Sequence, residues 1–251
     1  MSDTRRTGNF GKVEKIGYFR FVENFKKPIQ ALVEAVDKEQ EQHSYVNNSL
    51  IVLPEAFNIG GPYPCKQMDS ELPAHEILEE LRETAARLGI AFVAGILDGR
   101  KNSAFRIDAN GPQLVCHKLG EDLTGAYDPC LQNPDWRNPI TCANARVAAL
   151  ICMDATEDKT DIKQRRSNLL TNLKEGEGHK IICVPARFTH TSPDPLAFRS
   201  IVPDYWYVVA DGNYLNSSFV ARAQKSTNFL EAKLVDSPAP AGNQVRLWPL
   251  S

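Results

Sequence analysis

Short apolar runs rich in branched and aromatic residues recur along the chain, among them VEKIGYF, SLIVLP, IAFVAGIL, ARVAALIC, KIICVP and WYVVADG, with segments of helical periodicity between them. Runs this short and this apolar are the pattern of central strands, since a half-exposed strand would alternate polar and apolar residues. Between Lys27 and Gln42 the residues Ile29, Leu32, Val33 and Val36 fall on one helical face. Pro28 suits the first turn there, because its missing N–H would be unpaired in any residue. A second helix is predicted from Pro73 to Leu88, lined by Ile77, Leu78, Leu81, Ala85 and Leu88 and ended by Gly89. A third, near Asp161 to Lys174, buries Ile162, Leu169, Leu170 and Leu173. Strands alternating with helices demand an α/β layer structure. The segment SAFRIDANGPQLVCHK breaks that alternation with a hairpin whose Asn110-Gly111 dipeptide suits two turn residues of positive φ, so the sheets are expected to be mixed. Beyond Trp206 the chain reads as strands and loops, with SPAPAG as a surface connection before a last apolar run, VRLWPL.

With 251 residues, 42% of them hydrophobic and 24% charged, the chain suits one globular core. Lysine plus arginine (29) nearly balance aspartate plus glutamate (31), leaving a net charge of -2. That balance offers no cationic face to nucleic acid or to anionic lipid. The polar start MSDTRRTGNFGK lacks the apolar core of a secretory signal, so the expectation is a flexible arm over residues 1–12, one domain over 13–251, and a cytoplasmic location. The apolar stretches Ile90 to Leu97 and Val147 to Cys152 fall far short of the roughly 18 residues of a membrane helix. Six cysteines (Cys65, Cys116, Cys130, Cys142, Cys152, Cys183) occur without any C-x-x-C pair, which argues for reduced, buried thiols rather than a zinc ribbon.

Three strand-like runs end in chemically capable residues. SLIVLP leads into Glu55, the strand after the hairpin ends at Lys118, and ARVAALI leads into Cys152. In α/β sheets the carboxyl ends of strands form the rim where ligands bind, so a carboxylate, an ammonium and a thiol are expected in one cleft. His117 and His179 are read as surface or structural histidines, and none takes the partner role of a papain-like enzyme.

These motifs, LIVLPEAF around Glu55, VCHKLGE around Lys118 and VAALICMDAT around Cys152, resemble the nitrilase or carbon–nitrogen hydrolase superfamily in their order of glutamate, lysine, cysteine. The resemblance extends over roughly Val13 to Gln224, and the lysine-to-cysteine interval is similar to that of aliphatic-amidase-like members. It implies a four-layer αββα sandwich of the nitrilase type, a homodimer or higher homo-oligomer, and hydrolysis of a small amide or related molecule. The residue types fit that chemistry. A thiol attacks a carbonyl carbon well only as thiolate, so Cys152 needs a neighbouring base or positive charge. Glu55 is assigned the proton transfers and Lys118 the developing oxyanion, shared with the backbone N–H after Cys152. No metal or organic cofactor is required.

Departures from the family pattern fall around this core. Many members carry a second glutamate shortly after the lysine. Here Glu121, Asp122 and Asp128 compete, and Glu121 is preferred. After the cysteine, MDATEDKT keeps Asp154 but lacks the family's aromatic-Pro-Glu ending, and SSFVARAQ stands where a Gly-x-Ser strand is common. Tyr63 and Phe188 are candidates for the substrate pocket. The alternatives to a hydrolase are an interaction module that keeps the fold without catalysis and a protein whose Cys152 senses redox state.

Overall fold

The computed structural model describes residues 11–20, 27–43, 46–59, 73–98, 101–119, 139–187, 204–212, 218–226, 229–234 and 244–250. Its strands run β1 (Lys15–Arg20), β2 (Ser49–Val52), β3 (Ala91–Asp98), β4 (Lys101–Asp108), β5 (Gly111–His117), β6 (Ile140–Thr141), β7 (Ala145–Ala149), β8 (His179–Ala186), β9 (Tyr205–Asp211), β10 (Phe219–Ser226), β11 (Phe229–Leu234) and β12 (Gln244–Pro249). The helices are α1 (Pro28–His43), α2 (Ala74–Leu88) and α3 (Thr160–Lys174). Tyr63, Glu121, Phe188, Cys65, Cys130, the SPAPAG connection and most of the N-terminal arm lie outside the described residues.

The strands form two mixed six-stranded sheets, ordered β12-β1-β2-β3-β4-β5 and β11-β10-β9-β8-β7-β6. β1, β2 and β3 are parallel, as are β7, β8 and β9, and antiparallel strands flank each trio. Strand alternation sorts the first sheet's side chains into two cores. Ile16, Tyr18, Leu50, Val52, Ala91, Val93 and Ala104 join the cluster that includes the second sheet. Their neighbours Phe19, Ile51, Leu53, Phe92, Ala94 and Ile96 pack with Leu32 and Val36 of α1 and Ile77 and Leu81 of α2. α3 packs on β7 and buries Ile162, Leu169 and Leu173. The layer order is therefore helix, sheet, sheet, helix, as the sequence predicts.

Local chemistry accounts for most boundaries. Pro28 opens α1, with the Ala31 N–H donating to the Lys27 carbonyl (3.2 Å). Gly89 closes α2 at φ 63°, a left-handed conformation that costs glycine little. The β4–β5 hairpin forms, but not on the predicted dipeptide. Asp108 pairs with Gly111, so Ala109 and Asn110 make the loop, and only Gly111 has positive φ (113°). The Asn110 N–H donates to Asp108 Oδ1 at 2.7 Å, a side-chain-capped turn that starts one residue earlier than the Asn-Gly signal suggests. No helix among the described residues is long and apolar enough to cross a membrane.

Cys116, Cys142, Cys152 and Cys183 are free and buried, as expected. Burial pushes the Cys142 thiol up to about 11, and it pushes the other three up as well. Folded thiols with raised pKa keep protons that the unfolded chain releases, so their contribution is complete below the unfolded pKa and is lost as pH rises. The urea midpoint is therefore expected to fall above pH about 8.5, each thiol contributing up to about 1.4 kcal/mol per pH unit. Cys183→Ala should flatten the fall. A midpoint that holds constant from pH 8 to 10 would contradict this account.

Candidate active site

Glu55 reaches the interior because the chain leaves the first sheet to meet the second. After β2, the Leu53 N–H still donates to Val93 (2.8 Å), but the Glu55 N–H donates across to the Ala186 carbonyl at the end of β8 (3.3 Å). Ala56 then turns at φ 51°, and a 3-10 turn over Phe57–Ile59 follows. Asn58 pins this turn to β3 by a reciprocal pair, its Nδ2 donating to the Leu97 carbonyl (2.8 Å) and its Oδ1 accepting from the Leu97 N–H (2.9 Å). Gly95 on β3 leaves the room Glu55 needs. A Cβ there would stand 2.7 Å from the Glu55 Cα and 3.1 Å from the Pro185 Cβ. Gly95→Ala is therefore expected to cost about 1–3 kcal/mol, read as a lowered urea midpoint with unchanged m.

Lys118 follows β5, and its N–H donates to the Asn102 carbonyl at the start of β4 (2.8 Å). Its Nζ donates to Glu55 Oε1 at 2.7 Å, with the two side chains only 4% and 2% exposed. Burial alone would push the Lys118 ammonium down. The charge of Glu55 and its hydrogen bond, with the charge of Asp154, outweigh it and hold the group above the ordinary lysine range.

Cys152 enters from the second sheet. Beyond β7 the Leu150 N–H donates to the Cys183 carbonyl (3.0 Å), Ile151 remains extended, and Cys152 begins a 3-10 turn over Cys152–Ala155 at φ 49°. Left-handed backbone at a residue with a Cβ costs on the order of 1–3 kcal/mol and persists only where its surroundings hold it. Here they do. Asp154 Oδ2 accepts from the Leu119 N–H (2.8 Å), tying the turn to the residue after Lys118. Arg166 of α3 donates to the carbonyls of Asp154 (3.0 Å) and Glu157 (2.8 Å).

The surroundings of the thiol work against its ionisation. Burial raises the Cys152 pKa most, and the Glu55 carboxylate and Asp211 add to it. Lys118 and the backbone N–H of Arg187 pull it down but do not prevail, leaving it well above a free cysteine's. Cys152 therefore rests as a neutral S–H close enough to Glu55 to feel its charge.

Glu55, Lys118 and Cys152 are thus brought into one electrostatically coupled cluster. His117 shares a 2.7 Å hydrogen bond with Ser103 between β4 and β5, and His179 stands partly exposed on β8, both as structural residues. Sequence reasoning missed Asn102, Gly95, Arg166, Arg187 and Asp211. Gly95 carried a signal, since an isolated glycine in a buried strand marks close backbone approach. Arg166 carried none, lying on a helix that reads as a plain amphipathic stretch.

No protein-family model matches the sequence, and no curated protein matches it. Solved structures do. An amidase from Nesterenkonia sp. superposes with a TM-score of 0.61 at 15% identity, covering 96% of this chain and 91% of that one. A carbon–nitrogen hydrolase from Helicobacter pylori G27 gives 0.59 at 11% identity, over 93% and 87%. A cysteine variant of the Nesterenkonia AN1 amidase, described as belonging to the nitrilase superfamily, gives 0.56 at 16%, over 91% and 92%. Helix, sheet, sheet and helix in this order are the architecture of those proteins, and this chain has the fold of the nitrilase-superfamily amidases.

Proposed function

We propose that the protein is a cysteine-dependent hydrolase that cleaves a non-peptide C–N bond in a small linear amide or carbamoyl compound through a thioester on Cys152. The observation that carries this reading is the buried Glu55–Lys118 ion pair coupled to a neutral thiol on left-handed backbone. A buried pair costs several kcal/mol per ion in desolvation, and apolar residues of similar volume usually serve stability as well or better. Its retention beside a nucleophile is the arrangement that acyl transfer needs. The fold shared with amidases supports the same reading.

In this mechanism the Cys152 sulfur attacks the carbonyl carbon as its proton passes to Glu55. Lys118 Nζ and the Met153 N–H face the oxyanion that forms. Collapse breaks the C–N bond, and Glu55 returns the proton to the departing nitrogen, releasing ammonia or an amine. Water then attacks the thioester, giving one proton to Glu55 and leaving the carboxylic acid, and that proton restores the thiol. Glu121 would stand by the leaving group, with Tyr63 and Phe188 shaping the pocket. A redox-sensing role is disfavoured, because sensor thiols are of low pKa, whereas the pKa of Cys152 is raised. The proposed assembly is a cytoplasmic homodimer or larger homo-oligomer of one domain, without nucleic-acid or membrane partners.

Ammonia release from a panel of short aliphatic amides, carbamoyl amines and nitriles tests the reading, together with the intact mass of protein quenched during turnover. Turnover of an amide or carbamoyl member with an acyl-sized mass gain on the Cys152 peptide is expected. Folded protein that releases nothing from any member would overturn it.

A further inference from the structure

Glu55 has two carboxylate oxygens, and the surrounding side chains do not treat them alike. Both bonds resolved to the carboxylate go to Oε1, from Lys118 Nζ at 2.7 Å and from Asn102 Nδ2 at 2.5 Å. Asn102 is 2% exposed. Its other amide atom, Oδ1, is buried with no hydrogen-bond partner among the described residues. A buried acceptor left without a donor is costly, so the Nδ2 bond to Glu55 is held against that penalty. The amide cannot turn over without setting its oxygen against the carboxylate. The same residue also fixes the second donor, because its carbonyl accepts the Lys118 N–H at 2.8 Å. One residue on β4 thus grips the acid through its side chain and the base-holding lysine through its backbone.

We propose that Asn102 is a positioning residue which, with Lys118, occupies Oε1 of Glu55 and so assigns the Cys152 proton to Oε2. The role given to Oε2 rests on the hydrolase reading above, whereas the grip on Oε1 does not. Two donors on one oxygen fix the orientation of the carboxylate and leave Oε2 as the oxygen without a side-chain donor among the described residues. Among the described residues, the other charged or titratable groups around the cleft are Lys118 after β5, Cys152 and Asp154 in the turn after β7, Arg187 after β8 and Asp211 at the end of β9. All of them are retained when Asn102 alone is changed.

The test is the pH dependence of Cys152 alkylation by iodoacetamide in the full-length protein, read by peptide mass spectrometry. It requires no knowledge of the substrate. In that step the S–C bond forms as the C–I bond breaks, iodide leaves, and the thiol proton passes to Glu55. The wild-type rate is expected to fall on the acid side as the carboxylate protonates, and Glu55→Gln should abolish that limb. Asn102→Leu, close in shape but without a donor, should move the acid limb up by about one to two pH units, the worth of one hydrogen bond to a charged acceptor. Asn102→Asp, which preserves shape and serves if the leucine variant does not fold, should move it further by placing a second carboxylate there. A merely structural role would lower the rate equally at every pH. Folded variants whose acid limb coincides with that of wild type, or a wild-type rate without an acid limb, would overturn the assignment. A shifted limb in a protein that hydrolyses nothing on the panel would uphold the grip on Glu55 and remove the hydrolase reading instead.

Discussion

Cys152→Ala is expected to bring turnover of any panel substrate down to the uncatalysed rate. No other group described at the site can form the thioester, and Glu55 and Lys118 without a nucleophile have no acyl transfer to assist. The variant should remain folded. A methyl replaces a buried thiol on backbone that keeps φ near 49°, and the turn remains held by Asp154 and Arg166. Substrate affinity measured by calorimetry should persist within severalfold, because the pocket walls are unchanged. Residual ammonia release at more than about a hundredth of the wild-type rate would point to a different nucleophile.

The second expectation concerns the ion pair, where activity and stability part company. Glu55→Gln should lower kcat by about 10²- to 10⁴-fold, since one group serves both half-reactions as acid and base. Lys118→Met should lower it by about 10²- to 10³-fold through loss of the cation facing the oxyanion. Each change also strands the opposite charge in a site where the two side chains are 2% and 4% exposed. Breaking a buried pair from one side costs about 3–5 kcal/mol. The double variant Glu55→Gln, Lys118→Met removes both charges, so its urea midpoint should recover most of the loss while turnover does not recover at all. A double variant as unstable as the sum of the singles would mean that the two charges are not coupled.

Sequence pattern reached the scaffold more readily than the site's supports. The three helices, the parallel strands and the order glutamate, lysine, cysteine were legible because periodicity and strand-end position are local properties. The two-residue β6 was not, being too short for any period to register. The Asn110-Gly111 hairpin was placed one residue late because Asp108 caps the turn with its own side chain, and that competition is decided by geometry rather than by residue type. Asn102 escaped for a different reason. Its bonds reach 47 residues back to Glu55 and across a strand to Lys118, and nothing in its immediate neighbours announces either. The resting state of the thiol was not legible either, because sequence shows which charges exist but not how much water is removed from around them.

The return of β12 to the first sheet sets the order in which this molecule comes into being. Residues 244–249 pair antiparallel with β1, Lys15 opposite Pro249, after the whole second sheet has intervened in the chain. During synthesis β1 to β5 are made early, yet the β1 edge waits for residues more than two hundred positions later. An unpaired strand edge is a template for any other extended segment, including one on a neighbouring nascent chain. β12 therefore acts as a seal: a chain released before Gln244 would present the bare edge of β1 to its neighbours, and its fate would be association rather than slow completion.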